Sequence, residues 1–128
     1  MPRRELLNAN LPRPKGYSRA VAVPASELIF TSMTAPVDAS GEVVGESAEL
    51  QAQQVLHNLR DILEQNGSGL DNVLKVSAYV TRQESASTVM RVIGDAFSSP
   101  PPAIALAVVT GLPNPAFLVE IDVVAVAG

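Results

Sequence analysis

The residue best suited to chemistry in this chain is Glu120. It sits in Leu118-Val119-Glu120-Ile121-Asp122-Val123-Val124, a segment otherwise apolar and rich in β-branched side chains. That composition reads as a strand, and residues two apart on a strand share one face. Glu120 and Asp122 therefore point the same way. Desolvation and a like-charged neighbour both raise a carboxyl's proton affinity, and a carboxyl so tuned can position a water or shuttle a proton. The plainer reading is the polar face of a strand that meets solvent. Tyr17, in Gly16-Tyr17-Ser18, is one of two tyrosines. Its ring could line a pocket and its hydroxyl hold a ligand, or it could simply anchor a loop.

Other chemistries lack their parts. The absence of cysteine excludes disulfides, thiolate nucleophiles and zinc-thiolate sites. His57 is the single histidine, beside an apolar helical stripe, without a partner for a triad or a metal. Thr31-Ser32, Thr34 and Ser98-Ser99 have no nucleophile-elbow context. Gly67-Ser68-Gly69 lacks a lysine and follows a helical pattern, where a phosphate loop would open one. Neither a metal nor a cofactor is expected. The net charge is −4 with a pI of about 4.8, and the basic cluster Arg3, Arg4, Arg13, Lys15 and Arg19 has no interleaved aromatics. Nucleic acid is therefore not an expected partner. No run of about 18 apolar residues is present to span a membrane. The start Met1-Pro2-Arg3-Arg4 has no apolar region behind it, so the cytoplasm is the expected compartment.

The elements that must position these residues follow from periodicity. Residues 1–16, with Pro2, Pro12, Pro14 and Gly16, read as an irregular arm. Ser18 to Val23 and Glu27 to Ser32 read as strands joined by a hairpin turn at Pro24-Ala25-Ser26, and Asp38-Ala39-Ser40-Gly41 as a turn. Ser47 to Asn66 is the clearest helix: Ala52, Val55, Leu56, Leu59, Ile62 and Leu63 make one stripe, with Ser47 as N-cap and Gly67 as stop. Val73 to Val80 is a strand. Ser85 to Phe97 is a second helix with the stripe Val89, Val92, Ile93, Ala96 and Phe97, ended by Pro100-Pro101-Pro102. Ala103 to Val109 and Leu118 to Val126 are two more strands. At 128 residues this is one domain, of α+β class, a mixed sheet with both helices on one face. With 47% apolar and 17% charged residues, and last strands apolar on both faces, the uncovered face calls for self-association.

From Gly16 to Ala125 the chain resembles the RidA (YjgF) family of enamine/imine deaminases. The segments that carry the resemblance are Gly16-Tyr17-Ser18-Arg19-Ala20-Val21, Asp38-Ala39-Ser40-Gly41-Glu42-Val43-Val44, Gln53 to Gly67, and Leu70-Asp71-Asn72-Val73-Leu74-Lys75-Val76. The tail adds Pro101-Pro102-Ala103-Ile104-Ala105-Leu106, Gly111-Leu112-Pro113 and Val119-Glu120-Ile121. The resemblance implies a chorismate-mutase-like fold and a homotrimer whose sheets form a central barrel, with small-molecule clefts between subunits. It also implies roles. An arginine grips the carboxylate of a 2-imino or 2-enamino acid, a backbone group holds the nitrogen end, a glutamate orients the hydrolytic water, and a tyrosine packs on the substrate. Glu120 and Tyr17 stand at the last two positions. Ile104 stands at the arginine's, with Ala105 beside it. Met33-Thr34 replaces a frequent Gly-Gln, and Met90 lies near a position often held by asparagine; these five would line the substrate pocket.

An arginine binds a carboxylate through two parallel charge-assisted bonds, and isoleucine offers none. Losing the partner of a desolvated charge costs about 3–5 kcal/mol. The expectation is a variant deaminase or other hydrolase with weak or no activity on ordinary 2-imino acids, unless Arg19, Arg91 or another cation replaces the lost grip. A non-catalytic small-molecule-binding or regulatory trimer is the alternative, and a ribonuclease is the least favoured.

Overall fold

The computed structural model describes residues 3–127 apart from 7–9, 11, 13, 19 and 24–26. Helix α1 (Ala48–Glu64) begins where the Ser47 hydroxyl accepts the Leu50 amide at 3.2 Å, satisfying a donor that a helix start leaves unpaired. Beyond its end Gly67 turns to φ +76°, and the Leu63 carbonyl accepts the Asn66 and Ser68 amides at 3.0 and 2.9 Å. A residue with a Cβ resists that backbone conformation. Ala52, Val55, Leu56, Leu59 and Leu63 are buried. Ile62, expected in the same stripe, is 40% exposed. Helix α2 (Ala86–Ala96) buries Val89, Val92 and Ile93.

Both helices lie on one face of a four-stranded sheet of order β3–β6–β4–β5. In it β6 (Val119–Val126) lies antiparallel between β3 (Leu28–Phe30) and β4 (Val73–Val80), and β5 (Ala103–Val108) runs parallel to β4. The crossover through α2 makes that parallel pair possible. Alternation divides the side chains between two faces. Val119, Ile121, Val123 and Ala125 of β6 join Val76, Ala78 and Val80 of β4 in the core under the helices. Each large apolar side chain removed from water there contributes about 1.5–3 kcal/mol. The opposite face carries no helix. Phe30 is 71% and Leu28 47% exposed there, opposite Val124 and Val126 in register. Ala105 and Ala107 are exposed as well.

Two expectations need correction. The strands around residues 20 and 29 do not form a hairpin: β2 (Ala20–Ala22) pairs with β1 (Arg4–Leu6), and β3 pairs with β6. The proposed turn at Pro24-Ala25-Ser26 lies outside the described residues. The pairing with β6 lays Ile29 beside Ala125 and against the core, a non-local gain that outweighs a local turn signal. The arm expected to be irregular contains β1, and it is anchored. Arg3 is only 4% exposed. Its guanidinium donates to the carbonyls of Pro100, Asp71, Ser98 and Leu70 at 2.7, 2.6, 3.0 and 3.3 Å and stacks over the Phe97 ring. Burial lowers its pKa, and Asp71 opposes that shift.

The polar side of α1 fastens the loops. The buried Gln51 donates to Gly45 and Ala116 carbonyls at 3.1 and 3.0 Å and accepts the Leu118 amide at 2.7 Å. Asn58 donates to Ala35 and Val37 carbonyls at 3.1 and 2.8 Å. Gly45 permits the close approach, with φ +87° and no room for a side chain, since a Cβ would meet the Leu50 Cβ at 2.7 Å. Gln51→Leu keeps the size but strands two carbonyls and one amide. It should cost about 3 kcal/mol, read as a fall in the urea midpoint at unchanged slope. Gln54→Ala, which removes half-buried bonds, should cost roughly 1 kcal/mol.

Candidate functional site

The alternation that buries Val119 and Ile121 sends Glu120 to the uncovered face, where it is still only 5% exposed. Among the described residues its Oε1 finds no hydrogen-bond partner. Burial alone pushes its pKa up from the ordinary carboxyl value. In register beside it on β4 is Tyr79, and beside Asp122 is Ser77. The Asp122 carboxylate lies close enough to the Tyr79 hydroxyl for its charge to raise the phenol's pKa. Asp122 thus turns toward Tyr79, and its charge is not among the causes that raise Glu120. The expected contribution of a like-charged neighbour is corrected accordingly. On the other side of β6 the chain after β3 continues as a loose strand. Thr34 exchanges backbone bonds with Ile121 at 2.8 and 3.3 Å, which brings Met33 and Thr34 alongside the Glu120 segment. Met33 is 40% exposed.

Tyr17 and Ile104 lie elsewhere. The Ser18 amide donates to the Pro102 carbonyl at 3.0 Å, and the Ser18 hydroxyl donates to that of Pro101. Ser18 bridges Ala103 in parallel, so Tyr17 stands at the outer edge of β5. Gly16 rests on α2 at Gly94, one turn after Met90. Ile104 pairs with Val76 and packs against the core under the helices, while Ala105 turns to the uncovered face. Hence Tyr17, Met90 and Ile104 gather at the β5 edge beside α2. Met33 and Thr34 lie beside β6, with Thr34 opposite Ile121 and so on the helix side, while Glu120 and Ala105 share the uncovered face two strands apart. Ile104 and Glu120 occupy opposite faces of the sheet, and one chain does not bring the two groups into a single pocket.

Arg19 and Arg91 were the cations suggested as replacements. Arg19 lies outside the described residues. Arg91 meets Glu49 at 3.0 Å and Asp95 at 3.9 Å on the outer helical surface. His57 is exposed, 3.3 Å from Asp61. Among the described residues no group of three His, Cys, Asp or Glu is placed to hold a metal, and no helix is long and apolar enough to cross a membrane. Sequence reasoning missed Tyr79 and Ala107, which share a row across the sheet with Glu120. The signal was the polar alternation Lys75, Ser77, Tyr79 within the valine-rich strand.

Residues 9–127 match the family model described as Endoribonuclease L-PSP. The chain belongs to this family, the RidA/YjgF family. It is 34% identical to Protein DfrA of Myxococcus xanthus over 98% of this chain and 97% of that protein. It is 32% identical to the RutC family protein PH0854 of Pyrococcus horikoshii over 94% of each. Among solved structures it superposes on YyfB of Yersinia pestis, a Rid family protein described as of unknown function, with TM-score 0.91 and 27% identity over 98% and 99% of the two chains. RidA from an Antarctic Psychrobacter gives TM-score 0.74 and 29% identity over 86% and 87%. The α+β arrangement of two helices over a mixed sheet is thus the family's own.

The raised pKa of Glu120 fixes the sign of a pH effect. The folded state holds this proton more tightly than the unfolded chain, so the group's stabilising contribution is present in acid and is lost as pH rises through the folded value. Glu120→Gln should therefore be more stable than the native chain at pH 7. The difference should vanish below the ordinary carboxyl range, as read from urea unfolding at a series of pH values.

Proposed function

We propose that this chain is a variant Rid protein that hydrolyses the C=N bond of a reactive imine or enamine at clefts between the subunits of a homotrimer. The observation that carries this reading is the buried Glu120 oxygen, unpartnered among the described residues, on the helix-free sheet face, with Tyr17 and Ile104 at a separate edge. The two groups supply complementary halves, which a second copy would bring together. The exposed Phe30 and Leu28 on the same face as Glu120 give the association its apolar drive.

In such a cleft Glu120 accepts a hydrogen bond from a water and takes a proton as the oxygen adds to the imine carbon. The nitrogen, already protonated in the bound iminium form, becomes a neutral amine in the resulting carbinolamine. Glu120 returns that proton to the nitrogen and takes the hydroxyl proton as the C–N bond breaks, leaving a carbonyl, ammonia and a proton on Glu120 that passes to solvent. Desolvation, which raises the proton affinity of Glu120, suits it to both transfers. Tyr17 supplies a flat wall for the substrate. Ile104, Met33 and Met90 make the pocket less polar than a carboxylate needs, so the favoured substrate is an imine without a carboxylate beside the reacting carbon. The packing of Ile104 against the core also supports a second reading, a non-catalytic binder of an apolar small molecule. The net charge of −4 disfavours RNA cleavage as the primary activity.

Two measurements test this. Ammonia release from freshly generated 2-imino acids should be weak or absent in the native chain. It should rise by about two decades in Ile104→Arg, as restoring a charge-assisted carboxylate grip implies, and fall again in Ile104→Arg with Glu120→Gln. Turnover of those acids by the native chain, or an Ile104→Arg variant whose activity survives loss of Glu120, would refute the assignment. Retention of ligand with no turnover of any imine would select the binder. Sedimentation should show a trimer, and Phe30→Asp should dissociate it.

A further inference from the structure

A second cleft lies on the outer surface between α1 and α2, remote from the sheet face that carries Glu120. Its volume is about 290 Å³, at the low end for small-molecule pockets. Leu56 and Val92, nearly buried, form its floor, and Leu70 adds an apolar wall. Arg60 and His57 rise from α1, Arg91 and Asp95 from α2. The charge is unevenly placed. Of the nine basic residues, only Arg60, Lys75, Arg82 and Arg91 follow residue 19, and two of these four line this one cleft in a chain of net charge −4.

The two arginines differ. Arg91 is engaged by Glu49 at 3.0 Å and more loosely by Asp95 at 3.9 Å. Among the described residues the Arg60 guanidinium meets the ring Nδ1 of His57 at 2.9 Å and no carboxylate, while Asp61 takes the other His57 nitrogen at 3.3 Å. Arg60 therefore keeps an unneutralised charge at the rim of an apolar floor. The cleft is also held in shape. The Arg3 guanidinium donates to the carbonyls of Leu70 and Asp71 at 3.3 and 2.6 Å, fixing the wall that Leu70 supplies.

We propose that this cleft binds a small monoanionic carboxylic acid with a compact apolar body, its carboxylate on Arg60 and its body over Leu56 and Val92. The small volume favours a compact ligand. Asp95 beside the rim disfavours a doubly charged phosphate by like-charge repulsion, whereas a single carboxylate fits the fork of one guanidinium.

The test uses benzoate as probe and neutral benzamide as its isostere, followed by backbone amide shifts of the full-length native chain. Benzoate should shift amides of residues 56–60, 70 and 91–96 saturably, and benzamide should bind at least about tenfold more weakly. Arg60→Gln, a substitution at an exposed position, should weaken benzoate about tenfold or more, as expected for a lost charge-assisted bond, and should leave ammonia release unchanged. Three outcomes overturn the proposal: no saturable shift at millimolar benzoate, shifts confined to residues 28–34 and 120–124 of the sheet face, or equal binding by benzamide or by Arg60→Gln. Each can occur whether or not Glu120 proves catalytic, so failure here is distinct from failure of the deaminase reading.

Discussion

The alternation along β6 governs the rest of the molecule. Val119, Ile121, Val123 and Ala125 are each at most 1% exposed beneath the two helices, and a strand cannot send these four inward without sending Glu120 and Asp122 outward. The helices thus seal one face and force the carboxyls onto the other. A slip of one residue would bury both charges in the helical core and expose the valines, so packing holds Glu120 in its register although its Oε1 finds no hydrogen-bond partner among the described residues. The lone oxygen is tolerated because the burial of its neighbours outweighs it.

Buried polar side chains then hold the irregular parts to this frame. Gln51 ties the residues before α1 and before β6 to the first helix, and Ser18 ties the segment carrying Tyr17 to the entrance of β5. These bonds engage loop carbonyls and, at Leu118, a loop amide, the groups whose burial would otherwise be costly.

Much of this was legible in the chain. Both helices, the Ser47 cap and the last three strands follow from periods of 3.6 and 2, because each segment buries one face of its own. The sharing of a face by Glu120 and Asp122 was equally readable. What escaped was set by contacts between distant segments. No local signal makes residues 4–6 a strand, since their partner is β2 and their neighbour Arg3 finds its acceptors near residues 70 and 100. The hairpin expected around residues 24–26 failed for the same reason, the partner of β3 being at the far end of the chain. Ile104 was read from its place in a motif; that it faces the helices while Glu120 faces away follows only from strand order. Asp122 was expected to act on Glu120 but turned to Tyr79, a cross-strand neighbour that spacing along one strand cannot reveal.

The Arg3 clamp also bears on how the molecule is made. The side chain and its Pro100 acceptor are 97 residues apart. At ribosomal speeds of about 5–20 residues per second, that is roughly 5 to 20 seconds of synthesis. Throughout that time α1 can form around local contacts, but the guanidinium has no carbonyl of Ser98 or Pro100 to meet. The segment carrying Arg3 therefore seats late, and when it does, it locks the turn ahead of β5 that was made nearly a hundred residues later.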